Sequence, residues 1–445
     1  MAFEDLQKPV GTIDLLLYLH GHGKANVTTA VSETGMNRET FYGAVDRLVS
    51  LGFAYREEPY GFPRTVNVGL THAGEAMARA LGPAADLLAA TTLSMERELA
   101  RLREGGDPAT VPRRMEILDL TADREFALGR WERAEAAARE LLDLARASKD
   151  SHREAQGRLG LGRILQKRDR HADAVRELEE ALRLANGAGD PGTASEAEYL
   201  IGADLERQGR FADALGRYAT AADRAARGPD ALRAARARQA QARLQSKMGR
   251  HEESVAGLTE VVREFERLRA EEDLPRAYTS LGIAAYGLDR PDAIAWLEKG
   301  IDAAIRAGDV RLEAYGRLNA AAPLIDAREF RRAQAYLVRA REVFGALEER
   351  TGLGAAELNT ANLYSREDRW TDAEDAFDRA IALARETGNR NQEAYALFNR
   401  GQMAKRRGLR GEARALLTQA KAIFTEIGAA GRATRCDEEL ADLTR

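Results

Sequence analysis

Apolar residues in the last three quarters of the chain recur on one face of successive predicted helices. Short turns such as Gly-Arg-Trp at 129–131 are followed by a helix with a small residue near its start. These small residues recur every 40 residues, with a single interval of 39: Ala134, Ala174, Ala214, Ser254, Ala293, Ala333, Ala373 and Ala413. A regular interval of this length predicts an array in which each repeat is one supersecondary unit.

The residues around each small residue complete the pattern of a helix pair. Four residues later the chain carries a mostly large apolar residue: Ala138, Leu178, Tyr218, Leu258, Leu297, Leu337, Phe377 and Leu417. Positions 0, 4 and 7 lie on one face of a helix. Each small residue of the first set is itself preceded, 12 or 11 residues earlier, by another small residue. The members of this second set are Ala122, Gly162, Gly202, Ala242, Gly282, Ala321, Ala361 and Gly401. Residues 113–428 are therefore predicted to form eight helix pairs.

This spacing of small and large residues resembles tetratricopeptide (TPR) repeats and covers about 70% of the chain. The period is 40 rather than 34, and the family's usual proline after the second helix is missing. The extra residues predict longer second helices and loops, as in the extended TPR arrays of bacterial transcription activators and peptide-sensing regulators. The resemblance implies stacked helix pairs with a concave groove that binds an extended peptide or a partner segment. Pro323 predicts a kink or break in its helix, and residues 429–445 a capping helix.

The first 112 residues follow a different pattern, because six of the eleven prolines fall there and proline interrupts helices. Residues 8–81 predict three helices, a hairpin and another helix, with Asn37 capping the third. The order of Thr-Gly-Met-Asn-Arg-Glu-Thr (34–40), Arg-Leu-Val-Ser-Leu-Gly-Phe (47–53), a hairpin and Leu-Thr-x-x-Gly (70–74) resembles bacterial and archaeal winged helix-turn-helix regulators. The predicted fold is mainly α, a winged helix-turn-helix domain (1–81) followed by an α-solenoid.

The winged-helix resemblance implies that the third helix enters the major groove of double-stranded DNA and that the hairpin touches the backbone or minor groove. The candidate DNA contacts lie on this helix and on the hairpin: Arg38, Thr40, Tyr42, Arg47, Arg56, Tyr60 and Arg64. Residues 1–81 contain seven basic and nine acidic residues, a net charge of −2. Phosphate contacts supply most non-specific affinity. Either a dimer gathers the arginines on one face, or the domain binds proteins instead.

The connecting segment, residues 82–112, contains a candidate dimer helix. Leu88, Met95 and Leu102 recur every seven residues, with Leu99 beside them, in an otherwise polar stretch. This spacing is typical of a seam for a partner helix and favours a homodimer. The alternative is that the helix packs on its own winged domain.

Composition narrows the class of protein. The chain is 44% hydrophobic, mostly Ala and Leu, and 6% aromatic, which excludes a mainly β protein. The net charge of −4 gives no indication of binding to nucleic acid. The single cysteine, Cys436, excludes a disulfide framework or zinc ribbon. We see neither a membrane-length apolar run nor a signal-peptide pattern, so we expect a cytoplasmic protein without a membrane partner.

Candidate catalytic chemistry is absent from the sequence. We find no nucleophile–base motif, metal-ligand spacing or nucleotide fingerprint, and therefore expect neither enzymatic activity nor a cofactor. The stretch from His20 to Lys24 is more typical of a helix-ending turn than of a metal or phosphate site. His171 and His251 occupy the bulky repeat position and are expected to pack.

The most informative polar residues lie on the first helices of the repeats. Asn319, Asn359 and Asn399 recur every 40 residues, and Asn362 and Gln402 follow the last two by three. Cations occupy positions expected to line the groove: Arg163, Lys167, Arg207, Arg243, Lys247, Arg366, Lys405 and Arg406. Asparagine can hold a peptide backbone, and Arg or Lys can bind carboxylates. The set favours a groove for an acidic or C-terminal peptide; the alternative is a solvated, structurally neutral face.

Two functions follow from these patterns. The first is a transcription regulator whose winged helix binds DNA as a dimer while the solenoid binds a peptide or protein effector. The second is a non-enzymatic scaffold in which both the winged helix and the groove bind proteins. Binding to DNA separates the two hypotheses.

Overall fold

A computed structural model of the chain describes residues 12–51, 53–57, 66–79, 97–104, 107–228 and 230–443. Their contacts divide the chain into two compact units. One lies within residues 1–288 and 306–309, and the other within residues 289–305 and 310–445. Among the described residues, we find no helix with the length and apolar character that crossing a membrane requires.

The N-terminal domain, residues 12–79, combines helices with a small sheet. Its elements follow one another in this order: α1 (Thr12–His22), β1 (Ala25–Asn26), α2 (Val27–Thr34), α3 (Arg38–Ser50), β2 (Ala54–Glu57), β3 (Asn67–Leu70) and α4 (72–79). The strands form an antiparallel sheet in the order β1-β3-β2. The helices and the strand pair follow the predicted order, but the sequence did not reveal β1, which is two residues long.

Side-chain capping fixes the start of α3. Asn37 has an extended backbone, and its Oδ1 accepts a hydrogen bond from the backbone N–H of Thr40 at 2.8 Å. This bond satisfies one of the unpaired N–H groups at the helix start. The predicted cap is confirmed, and it places Arg38, Glu39 and Thr40 in the first turn.

Helix pairs form the rest of the described chain. After a helical segment α5 (97–104) and a short 3-10 turn, the first unit contains α6 (Val111–Ala127), α7 (Trp131–Ala147), α8 (Ser151–Lys167), α9 (His171–Ala188), α10 (Pro191–Arg207), α11 (Phe211–Arg227), α12 (Ala231–Lys247), α13 (His251–Leu268) and α14 (Leu274–Tyr286). The next helix is α15 (Ala293–Ala307). The second unit continues with α16 (Val310–Asp326), α17 (Phe330–Ala346), α18 (Arg350–Arg366), α19 (Trp370–Glu386), α20 (Arg390–Arg406), α21 (Arg410–Glu426) and α22 (Ala430–Asp442). The predicted solenoid of helix pairs is confirmed.

Small residues at the repeat positions allow the two helices of a pair to touch. A Cβ atom added to Gly162 in α8 would lie 2.7 Å from Cγ of Leu178 in α9. The equivalent atom on Gly401 in α20 would lie 2.9 Å from Cγ of Leu417 in α21. Real Cβ atoms do not approach so closely, so the pattern of small residues records the close packing of helices.

The two helices of a pair are of similar length, since α10, α11, α18 and α19 all contain 17 residues. Helix α16 is continuous from Val310 to Asp326 with Pro323 inside it, so of the predicted kink or break the break is absent. Proline lacks an N–H and gives no bond to the carbonyl of Asn319, but burial of Pro323 among packed helices keeps the segment helical.

The described part of the candidate dimer helix packs on its own chain. Leu99 in α5 is 7% exposed and belongs to the core of the first repeat, with Met115 and Leu141. Leu102 packs partly buried against the same core, whereas Leu88 and Met95 lie outside the described residues. Leu99 and Leu102 are therefore buried by the first repeat, a partner that neither sequence interpretation included.

The last helix covers the end of the second unit. Cys436 of α22 and Leu443, which directly follows this helix, join the core formed with α20 and α21. Burial raises the pKa of the Cys436 thiol, which keeps it protonated and unreactive at neutral pH. On the polar side of α22, Glu439 accepts hydrogen bonds from Gln402 at 2.8 Å and from Lys405 at 2.6 Å.

Candidate functional site

Helix α3 carries four of the candidate DNA contacts. Three of them are half-buried: Arg38, Thr40 and Arg47. Tyr42 is only 8% exposed, which contradicts its place among the candidate DNA contacts, because a contact to DNA needs an exposed side chain. Tyr42 lies three residues before the buried Val45, and residues at this spacing share one helix face.

The described part of the hairpin contributes one candidate cation. Arg56 in β2 forms an ion pair with Asp46 in α3. Because this carboxylate already neutralises the guanidinium, less positive charge remains for DNA phosphates. The other hairpin candidates, Tyr60 and Arg64, lie outside the described residues.

The N-terminal end of α3 lies against the first repeat. The Arg130 guanidinium, in the turn between α6 and α7, donates from Nη2 to the backbone oxygen of Thr34 at 2.5 Å. The neighbouring Gly129 has a positive φ of 73°. A Cβ atom added to Gly129 would lie 2.7 Å from Cγ of Asn37, the cap of α3. The turn that precedes α3 is therefore in contact with the first turn of the solenoid.

A difference between repeats explains why this turn can bind the N-terminal domain. In later repeats the arginine of the turn pairs with an acidic residue three positions on: Arg170 with Asp173, Arg210 with Asp213, Arg250 with Glu253 and Arg369 with Asp372. The first repeat has Arg133 at that position. Arg130 therefore has no acidic residue at the equivalent position and turns to Thr34, while its Nη1 lies 3.7 Å from Glu125.

A cavity of about 440 Å³ opens on the first helices of repeats one to four in the first unit. We call it the groove cavity. Its lining contains four cations, which are Arg163, Lys167, Arg207 and Arg243. The other lining residues are Phe126, Gln166, Tyr199, Leu200, Ala203, Glu206 and Tyr218. The structure thus brings four of the predicted groove cations together: Arg163, Lys167, Arg207 and Arg243.

Cations of the groove cavity pair with carboxylates of neighbouring repeats. Arg163 donates from Nη2 to Asp123 at 2.5 Å, and its guanidinium lies 4.6 Å from the centre of the Phe126 ring. Arg243 donates to Glu206 from Nη1 at 2.8 Å and from Nη2 at 2.5 Å. Lys247 lies 3.6 Å from the same carboxylate. These residues therefore also connect successive repeats.

Glu206 is a buried carboxyl group in the lining of the groove cavity. Burial acts to raise its pKa, but hydrogen bonds from Arg243 and the charges of Arg243 and Lys247 outweigh burial and lower the pKa. Tyr218 also donates to it from the hydroxyl at 3.1 Å. Burial, together with this carboxylate, raises the pKa of Tyr218.

We expect the contribution of Glu206 to stability to depend on pH. Its folded pKa lies below the ordinary value of 4.5, so the ionised form stabilises the fold fully above that value. The contribution is lost as the pH falls through the folded pKa. Urea unfolding from about pH 6 to about pH 3 should show the difference between the native protein and Glu206→Gln shrinking on acidification. A difference that stays constant or grows would contradict this assignment.

The polar residues of the second unit bind one another and the backbone. Asn319 donates to the carbonyl of Tyr315 in its own helix at 2.8 Å. Asn359 donates to the carbonyl of Leu318 at 3.2 Å, and Asn399 to Oδ1 of Asn362 at 3.1 Å. Asn359 and Asn399 therefore link first helices of neighbouring repeats. Hydrogen bonds already made by all three amides reduce their capacity to hold a peptide backbone.

The predicted cations of the second unit are also paired. Arg366 lies 3.2 Å from Asp326, and Arg406 lies 3.7 Å from Asp368. Lys405 and Gln402 bind Glu439 of the capping helix. The second unit therefore presents fewer unused donors than its sequence pattern indicates.

Sequence reasoning missed the aromatic side of the groove cavity. Phe126, Tyr199 and Tyr218 line it, yet each looks like an ordinary core residue in the sequence. The sequence does contain one signal for this surface. Lys167, Arg207 and Lys247 recur every 40 residues and therefore mark one position in three successive repeats.

The histidines that the sequence analysis named lie at helix ends, and two of them contact polar side chains of the fold. His20 and His22 lie at the end of α1, as expected for a helix-ending turn, and Nδ1 of His171 lies 3.2 Å from Asp204. Nδ1 of His251 lies 3.2 Å from the hydroxyl of Ser246. Within the described residues, no three His, Cys, Asp or Glu side chains are grouped so that they could hold a metal ion.

Comparison with known proteins shows what the chain is similar to. The tetratricopeptide repeat model matches residues 352–426, and the model of anaphase-promoting complex subunit 5 matches residues 210–266. No curated protein matches the sequence. A Rap protein complexed with competence and sporulation factor is 14% identical, with a TM-score of 0.50 over 75% of this chain and 98% of that chain. Aspartyl phosphate phosphatase F from Bacillus subtilis is 10% identical, with a TM-score of 0.53 over 75% and 92%. At these identities the likeness establishes the fold, a solenoid of TPR-like helix pairs.

Proposed function

We propose that this protein is a non-enzymatic transcription regulator. Its N-terminal domain is a winged helix-turn-helix that binds double-stranded DNA as a dimer, and its solenoid binds a peptide or protein effector. The element order from α1 to α4, with an antiparallel sheet and a capped α3, supports the first part. A Rap protein with a similar fold is complexed with competence and sporulation factor, which supports the second.

Contact with the first repeat adds a condition to DNA binding. In helix-turn-helix proteins the N-terminal residues of the recognition helix reach the base edges. Asn37, which caps this end of α3, lies against Gly129, and Thr34 is bound by Arg130. DNA and the first repeat would therefore compete for the same end of α3, so the DNA-binding form must differ from the docked form.

DNA binding is tested directly with a mixed-sequence duplex of about 30 base pairs at low salt. We expect the full chain to bind it and affinity to fall steeply with salt. Arg38→Ala and Arg47→Ala should each reduce the salt slope by about one if the side chain touches a phosphate. Arg176→Ala is the control, because Arg176 is exposed on α9 of the second repeat.

Failure of the full chain to bind DNA at low salt would contradict the transcription hypothesis. If the solenoid still binds an effector, that result supports the scaffold hypothesis, in which the N-terminal domain binds a protein. Light scattering of the same sample determines the oligomeric state, and a monomer would contradict the dimer proposal.

A further inference from the structure

The groove cavity opens at a short side chain that lies between two arginines. Three residues occupy the same position on successive first helices, directly after the small residue of the repeat: Arg163 in α8, Ala203 in α10 and Arg243 in α12. Helix α10 contacts both α8 and α12, so Ala203 lies between the two arginines. All three residues line the cavity. The methyl group of Ala203 therefore leaves unfilled the space that a longer side chain would occupy.

The cations of the cavity have partners within the fold. Three arginines pair with carboxylates: Arg163 with Asp123, Arg207 with Asp204 and Arg243 with Glu206. Lys167 also has an interaction of its own. An anionic ligand would have to compete with these partners, so charge gives the cavity little selectivity. The apolar surface of the cavity is the remaining basis for recognition.

The ion pairs leave the flat faces of the arginines for stacking. The N–H groups of a guanidinium lie in its plane, so carboxylate partners occupy its edges. Arg163 already combines the two contacts, because its Nη2 binds Asp123 while its guanidinium carbon lies 4.6 Å from the centre of the Phe126 ring. Arg243 is fixed at its edge by two hydrogen bonds to Glu206, and its side chain is 45% exposed. A guanidinium held in this way is a rigid surface for an aromatic ring.

Aromatic and apolar side chains line the cavity beside the arginines. Tyr199 is half-buried, and its ring centre lies 5.5 Å from that of the buried Tyr218. Leu200 is also buried and lines the same cavity. The volume of about 440 Å³ is within the range of sites that hold small ligands. An aromatic side chain would supply both a large apolar area and a ring that guanidinium and tyrosine groups attract.

We propose that the groove cavity binds an aromatic side chain of an extended peptide segment. The ring lies over Ala203, with the guanidinium of Arg243 and the ring of Tyr199 as its neighbours. An aliphatic side chain gains the apolar contacts without the stacking, and an acidic side chain meets cations that already have partners. This inference rests on the proposed effector role of the solenoid and names the side chain that the solenoid recognises.

The test measures binding of acetylated and amidated peptides to the full-length protein by isothermal titration calorimetry. The first peptide is Gly-Ser-Ser-Phe-Ser-Ser-Gly, and the controls carry Leu, Ala or Glu in place of the phenylalanine. We expect the phenylalanine peptide to bind about tenfold more tightly than the alanine peptide and about threefold more tightly than the leucine peptide. High salt should largely preserve both ratios, because apolar contacts are not screened as exposed charges are.

Matched variants locate the binding site. Ala203→Ile fills the cavity with the residue that the fifth repeat carries at this position, Ile283. Ala226→Ile is the control, because Ala226 is exposed on α11 of the same repeat and the fifth repeat carries Ile305 at its position. We expect Ala203→Ile to lower the affinity for the phenylalanine peptide about tenfold, to that of the alanine peptide. Ala226→Ile should leave this affinity unchanged.

Arg243→Lys separates stacking from charge. Lysine keeps a positive charge beside Glu206 but has no planar group. We expect this variant to lose the preference for phenylalanine over leucine, while the leucine peptide still binds more tightly than the alanine peptide. Circular dichroism before each titration checks that the variant is folded.

Several results would overturn the inference. Equal binding of the phenylalanine and alanine peptides, or binding of neither, would show that the cavity does not take an aromatic side chain. Tightest binding of the glutamate peptide would assign the site to a carboxylate and would leave the effector role standing. Equal loss in Ala203→Ile and Ala226→Ile would place the peptide elsewhere, and an unchanged preference in Arg243→Lys would exclude stacking. The titrations contain no DNA, so their failure is distinct from failure of the DNA test of the proposed function.

Discussion

Gly129→Ala is expected to raise the affinity of the full chain for DNA by releasing the N-terminal domain from the first repeat. The new Cβ atom would collide with Asn37, whose Cβ and Cγ atoms would lie 2.8 and 2.7 Å away. The apparent affinity for DNA is proportional to the fraction of molecules in the form that can bind DNA. If about nine tenths of the molecules are docked, full release raises DNA affinity about tenfold.

Gly249→Ala provides the matched control for this variant. Gly249 occupies the equivalent turn of the fourth repeat with a φ of 81°, and a Cβ atom there meets nothing within 4 Å. Both substitutions strain a left-handed backbone by roughly 1–2 kcal/mol, but only Gly129→Ala pushes on the N-terminal domain.

Arg130→Ala removes the hydrogen bond to Thr34 without adding a clash, so it should change DNA affinity in the same direction as Gly129→Ala. Fluorescence anisotropy with the DNA duplex measures all three variants. An unchanged or lower affinity of both Gly129→Ala and Arg130→Ala, in folded protein, would show that docking does not limit DNA binding.

Phe377→Ala is expected to destabilise the second unit by about 3–5 kcal/mol. Phe377 is fully buried in α19 and belongs to a cluster with Ala361, Ala373 and Met403. Truncation loses the burial of the ring and leaves a cavity that packed helices cannot close. Because repeats interact chiefly with their neighbours, the second unit should show faster amide exchange while the first repeats remain protected.

Two control substitutions make this prediction specific. Phe377→Leu should cost about 1 kcal/mol, since leucine occupies the equivalent position at Leu337 and Leu417 and fills much of the space. Leu409→Ala, in an exposed turn, should lie within about 0.5 kcal/mol of the native protein. Urea unfolding followed by circular dichroism gives the free energies. A small effect of Phe377→Ala would contradict the importance of this position.

The candidate groove illustrates the limit of reasoning from repeats. Sequence position correctly brought Arg163, Lys167 and Arg243 to one surface, because residues separated by the repeat length occupy equivalent places on stacked helices. It did not show that Arg163 binds Asp123 or that Arg243 binds Glu206. Those partners lie 40 and 37 residues away, so only the stacking of repeats brings them within hydrogen-bond distance.

By itself, the sequence determined the helix pairs, the cap of α3 and the order of the helices and the strand pair β2–β3 in the N-terminal domain. These features depend on local periodicity and capping, which act within a few residues of the chain. Tertiary structure alone decided that Tyr42 is buried, that Leu99 packs on the first repeat and that Arg130 binds Thr34. Each of these depends on packing between segments that are far apart in the chain. Such contacts follow no local period, so the sequence pattern does not reveal them.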